Sequence, residues 1–188
     1  MSNEMLDRNR VKLTDGKITL RPYRKEDSRD SFQAIKESLK EISVWLPFAH
    51  EDYTRKENLA WVKKRPADWK KGTAYEFAIF GAADGMMIGG CGLNAIDHMN
   101  RRANLGYWVR TSHTGNGVAV AATVLLAKWG FAALKLTRIE ILVAVDNQRS
   151  LRVAEKAGAK REGVLRNRIV IRDRAYDAVM HSLVPGDI

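Results

Sequence analysis

The sequence predicts a single mixed α/β domain built on one central sheet, and three observations predict it. Segments of strand character and of helical spacing alternate along the chain. No Pro/Gly/Ser linker, internal repeat or low-complexity tract divides the 188 residues, a length that suits one core. A long apolar helix separates two strands near the middle, which calls for a parallel crossover, while turns elsewhere favour antiparallel pairing. The expected order is β-α-α-β-β-β-α-β-α-β-β, a mixed and mostly antiparallel seven-stranded sheet with helices on both faces.

The elements are justified in turn. Residues 1–16 read as a polar lead-in to a domain over 17–188. Ile18 to Arg21 is β-rich and stops at Pro22, giving the first strand. Asp27 or Ser28 then caps a helix whose Phe32, Ile35, Leu39 and Ile42 share a face. Trp45-Leu46-Pro47-Phe48 is an aromatic loop. Thr54-Arg55-Lys56-Glu57 matches a capping box and opens a second helix, which Pro66 ends or kinks. Tyr75 to Phe80 and Met86 to Ala95 are strands joined by an Asp84-Gly85 turn. Glycines 89, 90 and 92 point to a bulge or a close approach in the second of them. Arg102 to Val109 is a strand, Gly117 to Leu134 a helix, and Arg138 to Val145 a strand parallel to its predecessor. A short helix over Ser150 to Ala157 stops at Gly158. Val164 to Ile171 and Ala175 to Val184 close the chain as a hairpin.

Composition narrows the function classes. The only cysteine is Cys91, so no intrachain disulfide forms, and four scattered histidines give no zinc pattern. The opening residues lack the apolar core of a signal peptide. Val118 to Leu134 is short for a membrane span and is interrupted by Lys128, so a buried helix is expected. Together these favour the cytoplasm. A formal net charge of +10 suits a polyanionic partner: nucleic acid, a ribosome surface or a phosphorylated cofactor. Arg161, Arg166, Arg168, Arg172 and Arg174 carry few interleaved aromatics, a poor surface for stacking bases. They read as a solvated basic face, and direct nucleic-acid binding is not expected.

Gly106 to Ala119 is the most informative stretch. A strand ends, Gly115-Asn116-Gly117 turns, and an apolar helix begins. The first turn of a helix presents unpaired N–H groups and the positive end of its dipole. Glycines let a phosphate come close to such a backbone, and small Ala119 and Ala122 leave the approach open. Neither a Gly-Lys-Ser/Thr loop nor a full Gly-x-Gly-x-x-Gly is present. Asn147 and Ser150 read as the N-cap region of a short helix. Trp45, Phe48, Trp61 and Trp69 read as core or loop anchors.

This stretch resembles the pyrophosphate loop of the GNAT superfamily of N-acetyltransferases. The nearest likeness is to the RimJ/RimL branch, which acetylates ribosomal-protein N-termini. Leu20-Arg21-Pro22, Trp45-Leu46-Pro47-Phe48, Leu105-Gly106-Tyr107-Trp108-Val109, Asp146-Asn147-Gln148-Arg149-Ser150 and Asp173-x-x-Tyr176-Asp177 also resemble that branch. The resemblance implies strands that splay around the pantetheine arm of acetyl-coenzyme A, with no metal. It implies that backbone groups of Tyr107, Trp108 and Val109 bind that arm and that Thr114, Gly115, Asn116, Gly117, Val118 and Ala119 hold the pyrophosphate. Asn147 would touch the arm, Ser150 would stand near the sulfur as the catalytic residue, and Trp45 would border the acceptor. The implied partners are acetyl-coenzyme A and an amine, such as a ribosomal-protein N-terminus, with a homodimer left open.

The chain departs from the family pattern. Ser112 stands where the loop begins with Arg or Gln, and Thr114 where a basic residue is common. The family's usual glutamates are replaced by Asn104 and Ile169, and its Gly-Phe is Gly158-Ala159. Direct transfer to an N-terminal α-amine is the expectation. An antibiotic or polyamine acetyltransferase, or a non-catalytic acyl-coenzyme A or ribosome-binding module, stays open beside it.

Overall fold

The computed structural model describes residues 6–188. Its strands are β1 (Leu13–Thr14), β2 (Ile18–Pro22), β3 (Tyr75–Gly81), β4 (Met87–Asp97), β5 (Arg102–Val109), β6 (Arg138–Ala144), β7 (Lys160–Ile171) and β8 (Arg174–Leu183). Its helices are α1 (Ser28–Glu37), α2 (Leu39–Ile42), α3 (Arg55–Lys71), α4 (Val118–Leu134) and α5 (Gln148–Lys156). The strands form one sheet in the order β1-β2-β3-β4-β5-β6-β8-β7. Every neighbouring pair is antiparallel except β5 and β6.

The described sheet has eight strands, not the seven expected. The additional β1 lies in the segment read as a polar lead-in. Leu13 and Thr14 pair with Leu20 and Thr19. The Asp15 carboxylate accepts from the N–H groups of Lys17 and Ile18, both at 2.9 Å, and so closes the turn. Two paired residues are too few for side-chain alternation to show in a sequence.

Alternation along β3 sorts its side chains onto two faces. Tyr75, Phe77 and Ile79 join the large core beneath α4, with Leu93, Leu105, Leu126, Trp129, Ile139 and Ile141. Ala78 faces the other way and packs with Tyr23 and Val62, with Trp61, Phe80 and Trp108 beside them.

Three local expectations change. The helix expected to run through Ile42 breaks at buried Ser38, whose hydroxyl donates to the Ala34 carbonyl at 2.7 Å and accepts from Thr111 N–H at 3.0 Å. The Asp27 carboxylate does not cap α1. It accepts from both terminal nitrogens of Arg21 at 2.7 and 2.6 Å and from Arg24 N–H at 2.6 Å. Nor does Pro66 end α3, which continues to Lys71 and stops at Gly72 in the left-handed region. Trp69, beyond the proline, anchors that last stretch against Tyr75, Phe77 and Trp129, with ring centroids 4.9, 5.4 and 5.4 Å away. The expected Thr54–Glu57 capping box is present.

The feature that makes a site is the parting of β5 and β6. They pair only over Arg102↔Arg138, Ala103↔Ile139 and Asn104↔Glu140. Beyond Asn104, β5 stays paired to β4 through Val109↔Gly89, and β6 to β8 through Ala144↔Ala178. The β5 edge from Leu105 to Val109 therefore faces a gap with no strand partner on that side.

Candidate functional site

A cavity of about 200 Å³ lies where this gap meets α1, α3 and the aromatic loop. Ile35, Leu46, Phe48, Tyr53, Trp61 and Trp108 make most of its wall. Tyr23 stands edge-on to Trp61 with centroids 5.0 Å apart. Buried Asn58 ties the wall together: its Oδ1 accepts from Ser31 Oγ and Tyr53 Oη at 3.1 Å each, and its amide donates to the Ser28 carbonyl at 2.6 Å.

Glu76 supplies the carboxylate of this cavity. It faces the space directly but is otherwise surrounded by protein. Burial pushes its carboxyl up to about 7, against the lowering effect of Arg65; Asp68 raises it further and a hydrogen bond from Asn94 lowers it. The glycines of β4 explain how it fits. A Cβ on Gly92 would fall on the Glu76 carboxylate, and one on Gly90 would meet the Tyr23 hydroxyl and the Trp108 indole nitrogen. The close approach expected from Gly90 and Gly92 is thus an approach of side chains to bare backbone. Beside Gly89 the β3–β4 register shifts between Ile79 and Phe80.

Across the gap, the Tyr107 hydroxyl donates to the Ser150 carbonyl at 3.0 Å and lies 2.9 Å from Ser150 Oγ. Burial holds the Tyr107 phenol at about 12, so it keeps its proton at neutral pH. Asn147 Oδ1 accepts from Ser150 N–H at 3.1 Å and caps α5. The cap is therefore Asn147, and the Ser150 side chain is turned to Tyr107.

After β5, Arg110 N–H bonds the Ile88 carbonyl at 2.8 Å, and a 3-10 turn covers Thr111–His113. Glu37 at the end of α1 holds this turn, accepting from Arg110 at 2.5 Å and from Ser112 Oγ at 2.7 Å. Gly115 (φ 85°) and Gly117 (φ 77°) are left-handed, and nothing among the described residues lies within 4 Å of where a Cβ would stand on either. Gly117 offers α4 no side-chain cap, and the first helical bond runs from Ala121 N–H to its carbonyl at 3.0 Å. The amides of Val118, Ala119 and Val120 precede that ladder.

The structure brings Tyr107 and Trp108 to the cavity and puts Val109 at the end of the open edge. Thr114, Gly115, Asn116, Gly117, Val118 and Ala119 form the turn and helix start that follow. Asn147 and Ser150 open α5 opposite Tyr107. Trp45 does not line the cavity, whereas its neighbours Leu46 and Phe48 do. Asn104 lies on β5 and donates to Asn94 Oδ1 at 3.0 Å; Ile169 is on the outer strand β7, away from the cavity. Sequence reasoning missed Glu76. Its available signal was a lone carboxylate in the apolar run Tyr75–Phe80 before a glycine-rich strand.

The pattern that defines the acetyltransferase (GNAT) domain matches residues 17–160. The chain belongs to the GNAT acetyltransferase family. It is an N-acetyltransferase by that membership, and its open sheet with helices on both faces is the GNAT fold. Among its relatives, YdaF of Bacillus subtilis, whose name proposes a ribosomal N-acetyltransferase, is 29% identical over 89% of this chain and 91% of its own. The Escherichia coli ribosomal-protein-serine acetyltransferase is 34% identical over 58% of this chain and 60% of its own. The solved structure of Mycobacterium smegmatis RimJ with coenzyme A disulfide superposes with a TM-score of 0.85 at 24% identity, covering 95% of this chain and 88% of that one. No described helix is long and apolar enough to cross a membrane.

Proposed function

We propose that this GNAT protein transfers the acetyl group of acetyl-coenzyme A to the α-amine of a peptide or protein N-terminus, by direct attack in a ternary complex. One observation carries the reading: the unpaired edge of β5 leads from the glycine turn to a small apolar cavity holding a single carboxylate.

The residues present suit acetyl-coenzyme A. The pyrophosphate belongs at Thr114 to Ala119, where two left-handed glycines leave open space before unpaired amides. The pantetheine arm belongs along Tyr107, Trp108 and Val109, where β5 has no strand partner on the gap side among the described residues, with Asn147 opposite. Acetyl-coenzyme A supplies the thioester that the amine attacks. The Tyr107–Ser150 hydroxyl pair then provides a proton for the departing sulfur, and free backbone N–H groups of β5 stabilise the charge developing on the carbonyl oxygen. Trp45 shapes the acceptor mouth through Leu46 and Phe48.

The cavity wall also bears on the acceptor. A polyamine carries several positive charges and calls for several carboxylates, whereas Glu76 is the one acidic residue lining the cavity among the described residues. An N-terminal residue presents one ammonium beside an apolar or small side chain, which matches one carboxylate in an aromatic wall. The names of the ribosomal-protein relatives support the same class.

The test is thiol release with acetyl-coenzyme A and three acceptor sets: lysine-free peptides with free N-termini, N-blocked peptides with lysine, and spermidine. The free N-termini should turn over fastest. Faster turnover of blocked lysine peptides would refute the α-amine, and activity on spermidine alone would establish the polyamine reading. No turnover with any amine, despite binding, would leave an acyl-coenzyme A-binding module.

A further inference from the structure

We infer that Glu76 is the general base of this site, taking the proton from the acceptor ammonium, and that Asn94 and Asn104 position it. The inference rests on the acetyl-transfer reading and adds the proton acceptor that Asn104 and Ile169 cannot be.

The placement argues against a role in structure alone. Several structural carboxylates are paired with cations: Asp27 with Arg21, Glu37 with Arg110, Glu162 with Arg138. None of the described ion pairs includes Glu76, and Arg65, whose charge reaches it, is bound to Asp68 at 3.0 Å. An unpaired carboxylate in an aromatic cavity costs stability, so a fold that retains one gains something else from it. Two glycines clear the space that Glu76 and its neighbour Tyr23 occupy. Asn104 donates to Asn94 Oδ1, which turns the Asn94 amide N–H groups toward Glu76. An asparagine at position 104 thus acts through a second asparagine on a carboxylate from another strand.

The groups that set its charge come from every side. Arg65 and Asp68 act from α3, and Asn94 hydrogen-bonds from β4. Tyr23 and Cys91 feel the Glu76 charge in return and are held protonated by burial. Their balance leaves a carboxyl that titrates near neutrality, the range in which a base is effective. The step balances in protons and electrons. Glu76 removes one proton from the ammonium, and the nitrogen lone pair forms the C–N bond as the C–S bond breaks. The nitrogen's surplus proton ends on the departing sulfur through Tyr107 and Ser150. Glu76 then releases its proton to water in the cavity.

The experiment is a pH profile of kcat/KM, from pH 6 to 10, on a lysine-free peptide with a free N-terminus, for wild type, Glu76→Gln and Glu76→Asp. Thermal melts check folding, and melts with acetyl-coenzyme A check its binding. Glu76→Gln should lose about 100-fold or more at pH 7. The loss should shrink towards pH 10, where an α-amine with a reference pKa of about 7.7–8.0 is already neutral. Acetyl-coenzyme A should raise the melting temperature of all three proteins alike. Glu76→Asp keeps a carboxylate and should keep the rising limb at a lower rate. A Glu76→Gln profile that follows wild type, or one lowered equally at every pH, would overturn the base, as would an aspartate variant that behaves like glutamine. Absence of turnover in wild type overturns acetyl transfer itself, and this inference with it.

Discussion

The Tyr107 hydroxyl bridges the gap between β5 and α5, lying 2.9 Å from Ser150 Oγ while donating to the Ser150 carbonyl at 3.0 Å. Its single proton is committed to the carbonyl, so the Ser150 hydroxyl is the donor between the two oxygens. Ser150 is thereby tied to the site, and the helix cap falls to Asn147.

This division of labour separates two variants. Ser150→Ala should lower kcat by at least about tenfold. Asn147→Ala should cost about 1 kcal/mol of stability through the lost cap. Pairing single-turnover kinetics with urea denaturation reads both. If Ser150→Ala keeps wild-type turnover per folded molecule, its hydroxyl has no part in the reaction.

Gly117→Ala examines the phosphate turn. Among the described residues no atom lies within 4 Å of the new methyl, so the fold loses only the left-handed preference, about 1–2 kcal/mol. The methyl stands before the amides proposed to receive the pyrophosphate. The rise in melting temperature with acetyl-coenzyme A should fall sharply in this variant. An undiminished rise would move the cofactor elsewhere.

Gly92→Ala reaches Glu76 without replacing it. The methyl meets the carboxylate and must displace it. The carboxylate is the far end of a flexible side chain, so it moves aside at small cost to the fold. With Glu76 as the base, kcat/KM at pH 7 should fall while the melting temperature changes little. It should recover at pH 9–10, where α-amines are about as neutral as they need to be. An equal loss at both pH values would show that Gly92 serves packing alone.

Two enclosed groups should bend the stability curve in opposite directions. His181 has no exposed surface, and neither ring nitrogen has a hydrogen-bond partner among the described residues. Burial lowers its pKa below 6.5; Glu155 works against this and Arg161 with it. Its folded form prefers to be neutral, so its contribution is present above the unfolded pKa and is lost as pH falls through about 6.5 towards the folded value. Glu76 is raised from 4.5 to about 7, so its contribution is present at low pH and is lost as pH rises through 7. Glu76→Gln should therefore lose stability more steeply than wild type on acidification from pH 7.5 to 5.5, and His181→Leu less steeply. Urea midpoints at the two pH values check this, and parallel shifts in all three proteins would refute it.

The fold was legible from local signals. The capping box at Thr54, the hairpin at Asp84-Gly85, the strand from Tyr75 to Phe80 and the apolar helix after Gly117 each depend on neighbours in sequence. They came out as expected apart from their ends. The breaks came where a partner outside the helix intervened: Thr111 at Ser38, Arg21 at Asp27, and Trp129 beyond Pro66. The loop from Thr114 to Ala119 was legible for the same local reason, since glycine conformation and a helix start are read over a few residues.

The sequence by itself determined that one mixed sheet would form and that a glycine turn would precede an apolar helix, and its resemblance to the family marked Asn104 and Ile169 as replacing the usual glutamates. Only the tertiary structure decided that Glu76 stands in the cavity with Tyr107, that Asn104 donates to Asn94, and that Ser150 faces a phenol 43 residues before it. The physical reason is the parting of β5 from β6. Periodicity and propensity are properties of a segment, but a gap between two strands arises from how the rest of the sheet and α5 hold them. The chemistry gathered in that gap therefore comes from residues far apart in the chain.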